Sequence, residues 1–337
     1  MEPRRDPVER AADDSADLYD VSTWEPRTAV DRLSYAIHRT INYGFGAIVL
    51  GVALLITLSL LVSPAVVVLD DPVLSVFFGL SIVPAGLLAA YIWYADITTH
   101  EPLPLLVGTF LLAILFATFA AVINSIGGTV FDTATVGGSF AFFFLIVGPV
   151  EETVKLLAVR VLPYRNEAFD AVIDGAVYGA VAGLGFAAIE NAIYIGRYLG
   201  EANPEAGLLL AAGEIATTRA LAGPGHVIYS AIAGYYLGLA KFNRRFAGPL
   251  VVKGLLLAAI IHATYNVTVG FVPRVVADLT PLGPGAAFVG YVIAFDATAG
   301  YYLYRKIARY RRAYREIRDD DASTRAPDAT EFDPPNR

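Results

Sequence analysis

Cysteine is absent from the 337 residues of this chain. Disulfides and thiolate metal ligands are therefore excluded, and a metal site would need His, Asp or Glu. Charged residues are also scarce, at 17% of the chain, whereas 56% of residues are hydrophobic and the mean hydropathy is +0.55. Soluble domains keep about a quarter of their residues charged. The composition therefore predicts a polytopic membrane protein.

Long apolar segments are missing from the two ends of the chain. Residues 1–43 mix both charges and contain no apolar core, so we expect a disordered cytosolic tail there and no cleaved secretory signal. Residues 306–337 are similarly charged and are predicted to form a second cytosolic tail. The residues between them, 44–305, are predicted to form one transmembrane domain.

Eight apolar stretches are long enough to cross a bilayer as helices of about twenty residues. These predicted spans lie at 44–68, 73–94, 104–125, 136–160, 172–197, 221–240, 250–271 and 284–304. The predicted fold class is therefore all-α, a polytopic integral membrane helix bundle of about eight transmembrane helices.

Lys and Arg gather in alternate connections between these spans, such as Lys241 to Arg245 and Arg305 to Arg315. By the positive-inside rule, both termini and the basic connections face the cytoplasm. The outer connection between spans five and six then contains Arg219 and a short apolar piece, residues 206–213, which is predicted to be a surface helix too short to cross.

The first three spans lack charged residues and are predicted to be scaffold, whereas the spans within 136–271 carry ionisable groups. Span four contains GPVEETVK, in which Glu151 and Lys155 share a helical face and can neutralise each other. This pairing leaves Glu152 without a partner. Because an unpaired intramembrane carboxylate costs several kcal/mol, such groups usually belong to functional sites. Pro149 is expected to kink the helix beside them.

Span five carries a stripe of small residues with Glu190 beside it. A stripe with a spacing of four lets helices approach closely and is interpreted as a packing face. Glu190 therefore points toward neighbouring helices, where a histidine or a metal would be its partner. The stripe consists of Gly175, Gly179, Gly183, Ala187 and Asn191.

Two histidines complete the set of polar residues in these spans. His226 follows a Gly-Pro-Gly sequence near the start of span six, and His262 lies four residues before Asn266 on span seven. Each histidine alone is explained by a hydrogen bond between helices. With the predicted topology, however, spans four to seven bring three carboxylates and two imidazoles into the middle and outer part of the membrane.

Such a set of side chains supports two kinds of chemistry. It can activate a water as acid and base, or it can hold a zinc ion with an open coordination position. The zinc ligands would come from Glu151, Glu190, His226 and His262. The HExxH motif is absent, which excludes the standard zincin geometry.

Four motifs occur in a fixed order on successive predicted helices: EExxK in EETVK, FxxxEN in FAAIEN, HxxxxxxxG in HVIYSAIAG and HxxxN in HATYN. With the stretches ADITTHEPLP and DGAVYGAVAGLGF, they make the chain resemble the PrsW family of intramembrane proteases over about residues 91–271. The resemblance implies cleavage of membrane-anchored proteins, in the best-known setting an anti-sigma factor. It also implies a catalytic core of Glu151, Glu152 and His262, with Glu190, Asn191, His226 and Asn266 around it and Lys155 in support.

The resemblance leaves the catalytic agent open. The family is classed as metalloproteases, while distantly similar CAAX prenyl-proteases are also described as glutamate-dependent without a catalytic metal. We therefore expect Glu152 or Glu151 to activate a water, with His226 and His262 positioning it directly or through zinc. Asp296 in the last span is not required by the motifs and is expected to pair with an arginine or Lys155, or to carry a proton.

Two other functions compete with this hypothesis. A CAAX-like protease that processes prenylated proteins or peptides would use the same site on other substrates. A proton-coupled transporter or ligand-binding membrane protein would use buried Glu and His as a relay, but the internal repeats common in transporters are not apparent. The expected partners are a membrane-anchored protein substrate and the lipid bilayer, in a multi-pass protein of the cell membrane. Nucleic acid is not expected, because the basic residues lie in short loops.

Overall fold

The computed structural model describes residues 17, 25–98, 100–201 and 207–325. Most of the N-terminal tail predicted at 1–43 and the last residues of the tail predicted at 306–337 lie outside this part of the chain. The chain divides into two compact units, residues 1–55 and 56–337. All functional residues discussed below belong to the second unit.

All regular structure in the described residues is helical, which confirms the all-α prediction. A π-helical turn, Phe143–Val147, joins two of the helices. The helices are α1 (Ala29–Asp70), α2 (Pro72–Tyr94), α3 (Leu103–Val130), α4 (Val136–Phe142), α5 (Gly148–Val161), α6 (Val172–Glu201), α7 (Leu208–Phe242), α8 (Ala247–Thr268), α9 (Val272–Leu279) and α10 (Pro284–Arg325).

Five of the helical stretches in the described part of the chain are long and apolar enough to cross a membrane. They are Pro72–Tyr94, Leu103–Val130, Val172–Tyr198, Arg244–Thr268 and Pro284–Arg318. The other three predicted spans coincide with α1, with the broken pair α4 and α5, and with α7. These findings support a membrane helix bundle, and the total of eight spans stays a prediction.

Helix α1 begins at Ala29, so the prediction of a disordered tail up to residue 43 is wrong for its last part. The start is fixed by a reciprocal cap. Thr28 Oγ1 accepts a hydrogen bond from the Asp31 backbone N–H at 3.2 Å, and Asp31 Oδ2 accepts one from the Thr28 N–H at 2.8 Å. This pair satisfies two N–H groups that would otherwise lack partners at a helix start.

The charged segment after residue 305 is helical as far as Arg325, because α10 continues through it. The segment RKIARYRRAYREIR contains six Arg, one Lys and two Ala, all of which favour helix. The predicted cytosolic tail is therefore an extension of the last helix over this part of its length.

Helix α7 corrects the prediction for the connection between spans five and six. Residues 208–213 are the first turns of one continuous helix that runs to Phe242, and they do not form a separate surface helix. Arg219 is consequently a helical residue that is only 9% exposed, and its assignment to an outer loop is wrong. Pro224 lies inside the helix. A proline removes one backbone donor, which tertiary packing can offset.

Helices α6 and α7 pack together through their glycines, as the small-residue stripe predicts. A Cβ atom at Gly179 would collide with the backbone carbonyl of Ser230, and one at Gly183 would collide with that of His226. Gly234 on α7 has the same relationship to Gly175. Backbones can approach this closely only without side chains between them. The contact brings the functional residues of the two helices within hydrogen-bonding distance.

Helix α6 lies at the centre of the second unit. In its apolar window 83% of residues are buried, compared with 22% to 33% in the other four candidate spans. The core around it includes Ile173, Val177 and Tyr178 from α6 and Ile232 from α7. Polar residues on α6 are therefore surrounded by protein and not by lipid.

The start of α5 is shaped by the π turn that precedes it. The Gly148 N–H donates to the Phe143 carbonyl, five residues earlier, and Pro149 follows directly. A Cβ atom at Gly148 would lie 2.6 Å from the Ala259 carbonyl of α8, so the two helices touch at this point. The first turns of α5 are thereby held against α8, with Glu151 and Glu152 inside the protein.

Candidate active site

Four helices contribute side chains to one buried polar cluster. Helix α5 contributes three charged residues of this cluster from two successive turns. Helices α6 and α7 approach each other through glycines, and α8 contacts the start of α5. The members of the polar cluster are Glu151, Glu152 and Lys155 of α5, Glu190 and Asn191 of α6, Arg219, His226 and Ser230 of α7, and His262 of α8.

Glu152 is fully buried, and both of its carboxylate oxygens are engaged. Its Oε1 atom lies 2.7 Å from Lys155 Nζ and 2.9 Å from His262 Nδ1. Its Oε2 atom accepts a hydrogen bond from Ser230 Oγ at 3.3 Å. A buried carboxylate with these partners is stabilised in its charged form and holds the imidazole of His262 in one orientation.

Lys155 pairs with the glutamate that the sequence left unpaired. Its ammonium lies 2.7 Å from Glu152 but 3.8 Å from Glu151, so the predicted Glu151–Lys155 pair is the weaker of the two. Residues three and four apart are both neighbours on a helix, and the long lysine side chain reaches either. His226 Nδ1, 2.9 Å from the ammonium, and the ring of Phe186, 4.2 Å away, complete its surroundings.

Glu151 has one oxygen that is held and one that is free. Its Oε1 atom accepts a hydrogen bond from Asn124 Nδ2 of α3 at 3.0 Å. Its Oε2 atom is buried and has no hydrogen-bond partner among the described residues. Oε2 lies 3.7 Å from His262 Nε2 and 3.8 Å from Lys155 Nζ. A buried carboxylate oxygen without a donor is costly, so it is expected to bind a water, a proton or a cation.

His226 is held from both ring nitrogens. Its Nε2 atom lies 2.8 Å from Glu190 Oε2, and its Nδ1 atom lies 2.9 Å from Lys155 Nζ. The prediction that Glu190 needs a histidine or a metal as its partner is therefore confirmed for the histidine. The two imidazoles face each other edge to face, with ring centroids 5.2 Å apart.

Arg219 extends this network away from the histidines. Its Nη2 atom donates to Glu190 Oε2 at 2.6 Å and its Nε atom donates to Asn191 Oδ1 at 2.8 Å. The amide of Asn191 in turn donates to the carbonyl and hydroxyl oxygens of Ser81 on α2, both at 3.1 Å. An arginine that engages two neighbouring residues through separate N–H groups fixes this turn of α6 against α7.

A cavity of about 960 Å³ opens beside the polar cluster. Glu151, Glu190, His226 and His262 line it together with apolar residues such as Val147 and Phe186. Its volume lies at the upper end of the usual range for ligand pockets. Glu152 and Lys155 do not line this cavity, so they act on its contents only through their neighbours.

Three cavity residues have the donor atoms of a metal site. One ligand atom each from Glu151, His226 and His262 lies within 4.8 Å of the other two. The unpartnered Oε2 of Glu151 is one such atom, and the contact of His262 Nδ1 with Glu152 leaves Nε2 for a ligand. Carboxylate–histidine contacts of this type orient metal ligands in known sites, so Glu151 and His262 fit a zinc ion. His226 can be the third ligand only when one of its ring nitrogens leaves Glu190 or Lys155.

A comparison with protein families decides what this cluster belongs to. The model of the PrsW family of intramembrane metalloproteases matches residues 101–308, a range that contains every member of the polar cluster. The chain belongs to the PrsW family. It is an intramembrane protease, and therefore a hydrolase, which excludes the transporter hypothesis.

Curated PrsW proteases from several bacteria are similar to the chain. Protease PrsW of Bacillus subtilis (strain 168) is 28% identical over 193 residues, which are 55% of this chain and 78% of that protein. The PrsW protease of Oceanobacillus iheyensis is 30% identical over 186 residues, covering 55% of this chain and 79% of the relative. That of Geobacillus kaustophilus is 31% identical over 190 residues, covering 55% and 76%. No solved structure matches the chain significantly.

The PrsW site assembles most of the residues predicted from the motifs. Asn266 lines the cavity, but no hydrogen bond of its amide is found in the described part of the chain. Asp296 lies apart from the polar cluster and accepts a hydrogen bond from the Tyr229 hydroxyl at 3.3 Å. The structure shows neither of the salt bridges predicted for Asp296, with Lys155 or with an arginine, among the described residues.

Arg219, Asn124 and Ser81 are contacts in this PrsW protease that the sequence reasoning missed. Asn124 and Ser81 belong to α3 and α2, whose spans were predicted to be scaffold because they lack charge. That prediction is wrong where these two side chains contact the site. The available signal was an asparagine inside an otherwise apolar helix, since a buried amide needs hydrogen-bond partners.

Proposed function

We propose that the chain hydrolyses a peptide bond in or near the membrane segment of a membrane-anchored protein, at the cavity beside Glu151, His226 and His262. One observation carries the proposal. The Oε2 atom of Glu151 is buried at the wall of this cavity without a hydrogen-bond partner in the described residues, and lies 3.7 Å from His262 Nε2. A carboxylate oxygen in this position is suited to contact an attacking water.

The two neighbouring glutamates have different roles in this proposal. Glu151 takes the proton of the water, because it is the glutamate of α5 with an oxygen free toward the cavity. Glu152 positions His262, since both of its oxygens are engaged and it is 0% exposed. The initial hypothesis left the choice of base between these two residues open, and the geometry favours Glu151.

The remaining members of the cluster hold the histidines. Glu190 fixes one ring nitrogen of His226, and Arg219 balances the charge of that glutamate. Lys155 balances the charge of Glu152 and contacts the other ring nitrogen of His226. A histidine fixed in this way can position the water or stabilise the oxyanion that forms during hydrolysis. Asn266, on the cavity wall, supplies a second oxyanion donor.

A zinc ion, if this protease uses one, would be held by Glu151, His226 and His262. It would polarise the peptide carbonyl and lower the pKa of water. The free oxygen of Glu151 can serve as a metal ligand or as the proton acceptor, and the two uses exclude each other. The metal content of the purified protein therefore decides between the metal-dependent and glutamate-dependent forms of the proposal.

The substrate we propose is a membrane-anchored regulatory protein of the anti-sigma-factor kind. Backbone carbonyls in a transmembrane helix are shielded by their own hydrogen bonds, so the substrate must unwind at the cleaved bond. A cavity of about 960 Å³ holds several residues of such an unwound segment. We also propose a location in the cell membrane, with eight spans and both termini in the cytoplasm, as the charge distribution indicates.

The proposal is tested with purified protein reconstituted in lipid vesicles. Cleavage of a membrane-anchored reporter and zinc content by elemental mass spectrometry are measured for the wild type, Glu151→Gln and His262→Ala. We expect Glu151→Gln to abolish cleavage while the thermal stability is retained. About one zinc per chain that is lost in both variants identifies the metal-dependent form. An active wild type without metal identifies the glutamate-dependent form, and full activity of Glu151→Gln contradicts both.

A further inference from the structure

A second group of buried carboxylates lies at the other end of α6, far from the polar cluster. Asp96 follows α2, Glu101 precedes α3, and Asp174 lies in the first turn of α6. Asp96 and Glu101 are 4% exposed and Asp174 is 0% exposed. One oxygen of each lies within 4.8 Å of the other two. Asp174 precedes Glu190 by about 24 Å along the helix, so the two sites share no residue.

The two aspartates each use one oxygen to fix the side chain. Asp96 Oδ1 accepts hydrogen bonds from the backbone N–H and the hydroxyl of Thr98, both at 2.7 Å. Asp174 Oδ2 accepts hydrogen bonds from the N–H groups of Asp170 and Ala171 at 2.8 and 2.9 Å. The second oxygen of each aspartate, Oδ2 of Asp96 and Oδ1 of Asp174, is buried without a hydrogen-bond partner in the part of the chain that the structure describes.

Glu101 differs from the two aspartates because its carboxylate holds no loop backbone in place. Both of its oxygens are buried, and neither has a hydrogen-bond partner in the described ranges. Burial raises the pKa of its carboxyl to about 8, and the negative charges of Asp96 and Asp174 add to this effect. The hydroxyl of Tyr178, one turn after Asp174 on α6, is also buried and unpartnered among these residues. Unpaired polar atoms at this density point to a missing positive partner, which is either a cation or a proton shared by Glu101 and Asp96. The cation is the partner that a binding measurement detects.

The basic side chains nearby do not supply that partner. No Lys, Arg or His forms a salt bridge with the three carboxylates within the described residues. Lys241 of α7 instead donates to the backbone carbonyls of Tyr164 and Asn166, at 2.9 and 3.3 Å, and lies over the ring of Phe169. Lys241 is attracted to the charge of Asp174 but makes no salt bridge with it, so the free carboxylate oxygens keep no basic partner among the described residues.

We propose that Asp96, Glu101 and Asp174 form a binding site for a hard divalent cation, Ca²⁺ or Mg²⁺. Carboxylate oxygens are the ligands that these ions prefer, whereas the absence of imidazole and thiolate groups disfavours zinc and copper. The four free carboxylate oxygens supply part of a coordination shell that water completes. Such an ion connects the segment between α2 and α3 to the first turn of α6. This site is independent of the proposed catalytic chemistry.

The test uses the full-length protein in detergent, stripped of metal with EDTA, and measures binding and thermal unfolding. Binding of ⁴⁵Ca²⁺ is measured by equilibrium dialysis, and Mg²⁺ is measured by its competition. We expect one site per wild-type chain and a rise in Tm of about 2–6 °C at millimolar Ca²⁺ or Mg²⁺. In Glu101→Gln we expect the bound ion and the Tm rise to be lost. At pH 9, above the pKa of Glu101, this variant without cation should melt above the stripped wild type, since one buried negative charge is gone.

Asp278→Asn serves as the matched control, because Asp278 is an exposed carboxylate on α9. It should bind the cation and respond in Tm as the wild type does. If Glu101→Gln does not fold, Asp96→Asn replaces it and the loss of the one site is the expected result. The proposal is overturned if the stripped wild type binds neither ion, if its Tm does not respond, or if the variants bind as well as the wild type. Cleavage is not a readout here, so failure of this proposal leaves the proposed protease mechanism untouched.

Discussion

The Nδ1 atom of His262 lies 2.9 Å from the Oε1 atom of Glu152, inside the protein and away from the cavity. This contact leaves Nε2 as the ring nitrogen of His262 that is available to a substrate, a water or a metal. A carboxylate on one ring nitrogen fixes the tautomer and makes the other nitrogen more basic. In the proposed mechanism Glu152 positions His262, so its replacement should lower the rate of cleavage although Glu152 does not touch the substrate.

Glu152→Gln should lower cleavage by about 100-fold, the upper end of the usual effect of a residue that orients a metal-ligating or catalytic histidine. The amide keeps the shape of the side chain but removes the charge that holds His262 and balances Lys155. Cleavage of the membrane-anchored reporter is the measurement. Glu167→Gln, at an exposed carboxylate after α5, is the control and should cleave normally. Normal cleavage by a folded Glu152→Gln protein would show that His262 does not depend on this contact.

Asn124→Ala should lower cleavage by about tenfold, as expected for the loss of one hydrogen bond to a charged group. Asn124 donates to the bound oxygen of Glu151, so its removal lets the carboxylate rotate away from the cavity. Thr129→Ala is the matched control, because the Thr129 hydroxyl donates to the Ile126 carbonyl of its own helix and Thr129 does not line the cavity. Equal activities of the two variants would contradict the role of Asn124.

Arg219→Gln should destabilise the protein by about 2 kcal/mol or more, because it leaves the Glu190 carboxylate without its strongest counter-charge. The double variant Arg219→Gln with Glu190→Gln should recover part of that loss, since the unpaired charge is also removed. The free energy of unfolding in detergent is the measurement. Arg274→Gln, an exposed arginine of α9, provides the baseline. Additive losses in the double variant would mean that the two side chains do not interact.

Gly179→Ala should destabilise the protein by about 1–3 kcal/mol, the usual range for overpacking, and should also lower cleavage. The new Cβ atom would collide with the Ser230 carbonyl and force α6 away from α7, which displaces Glu190 from His226. Gly128→Ala in α3 is the control, because no atom lies within 4 Å of its Cβ position. A Gly179→Ala protein as stable and active as this control would show that the close helix contact is not needed.

The sequence predicts the helical fold and most of the site because both depend on local patterns. Apolar length identifies the helices, and motif spacing identifies Glu151, Glu190, His226 and His262. The Gly175 to Gly183 stripe predicts which face of α6 packs. These features require no knowledge of which helices are neighbours.

The missed features depend on packing between distant parts of the chain. The apolar window of span six begins at residue 221 and so places Arg219 in the preceding connection. In the structure α7 is helical from Leu208 through the Gly-Pro-Gly sequence and packs against α6. By sequence, Lys155 can reach either Glu151 or Glu152. In the structure it pairs more closely with Glu152, which also contacts His262 and Ser230. Asn124 carries no charge, so its role appears only when α3 is placed beside α5.

The π turn at Phe143–Val147 determines toward which side of α5 the following glutamate side chains point. A hydrogen bond to the fifth preceding residue encloses one residue more than an α-helical turn does. Relative to an unbroken α-helix entering from α4, every side chain of α5 is thus rotated by about 100°. Deleting a single residue from this turn would restore the ordinary helical register and aim Glu151 away from the cavity. The direction of the Glu151 carboxylate therefore depends on the number of residues in the turn before it as well as on the identity of the residue itself.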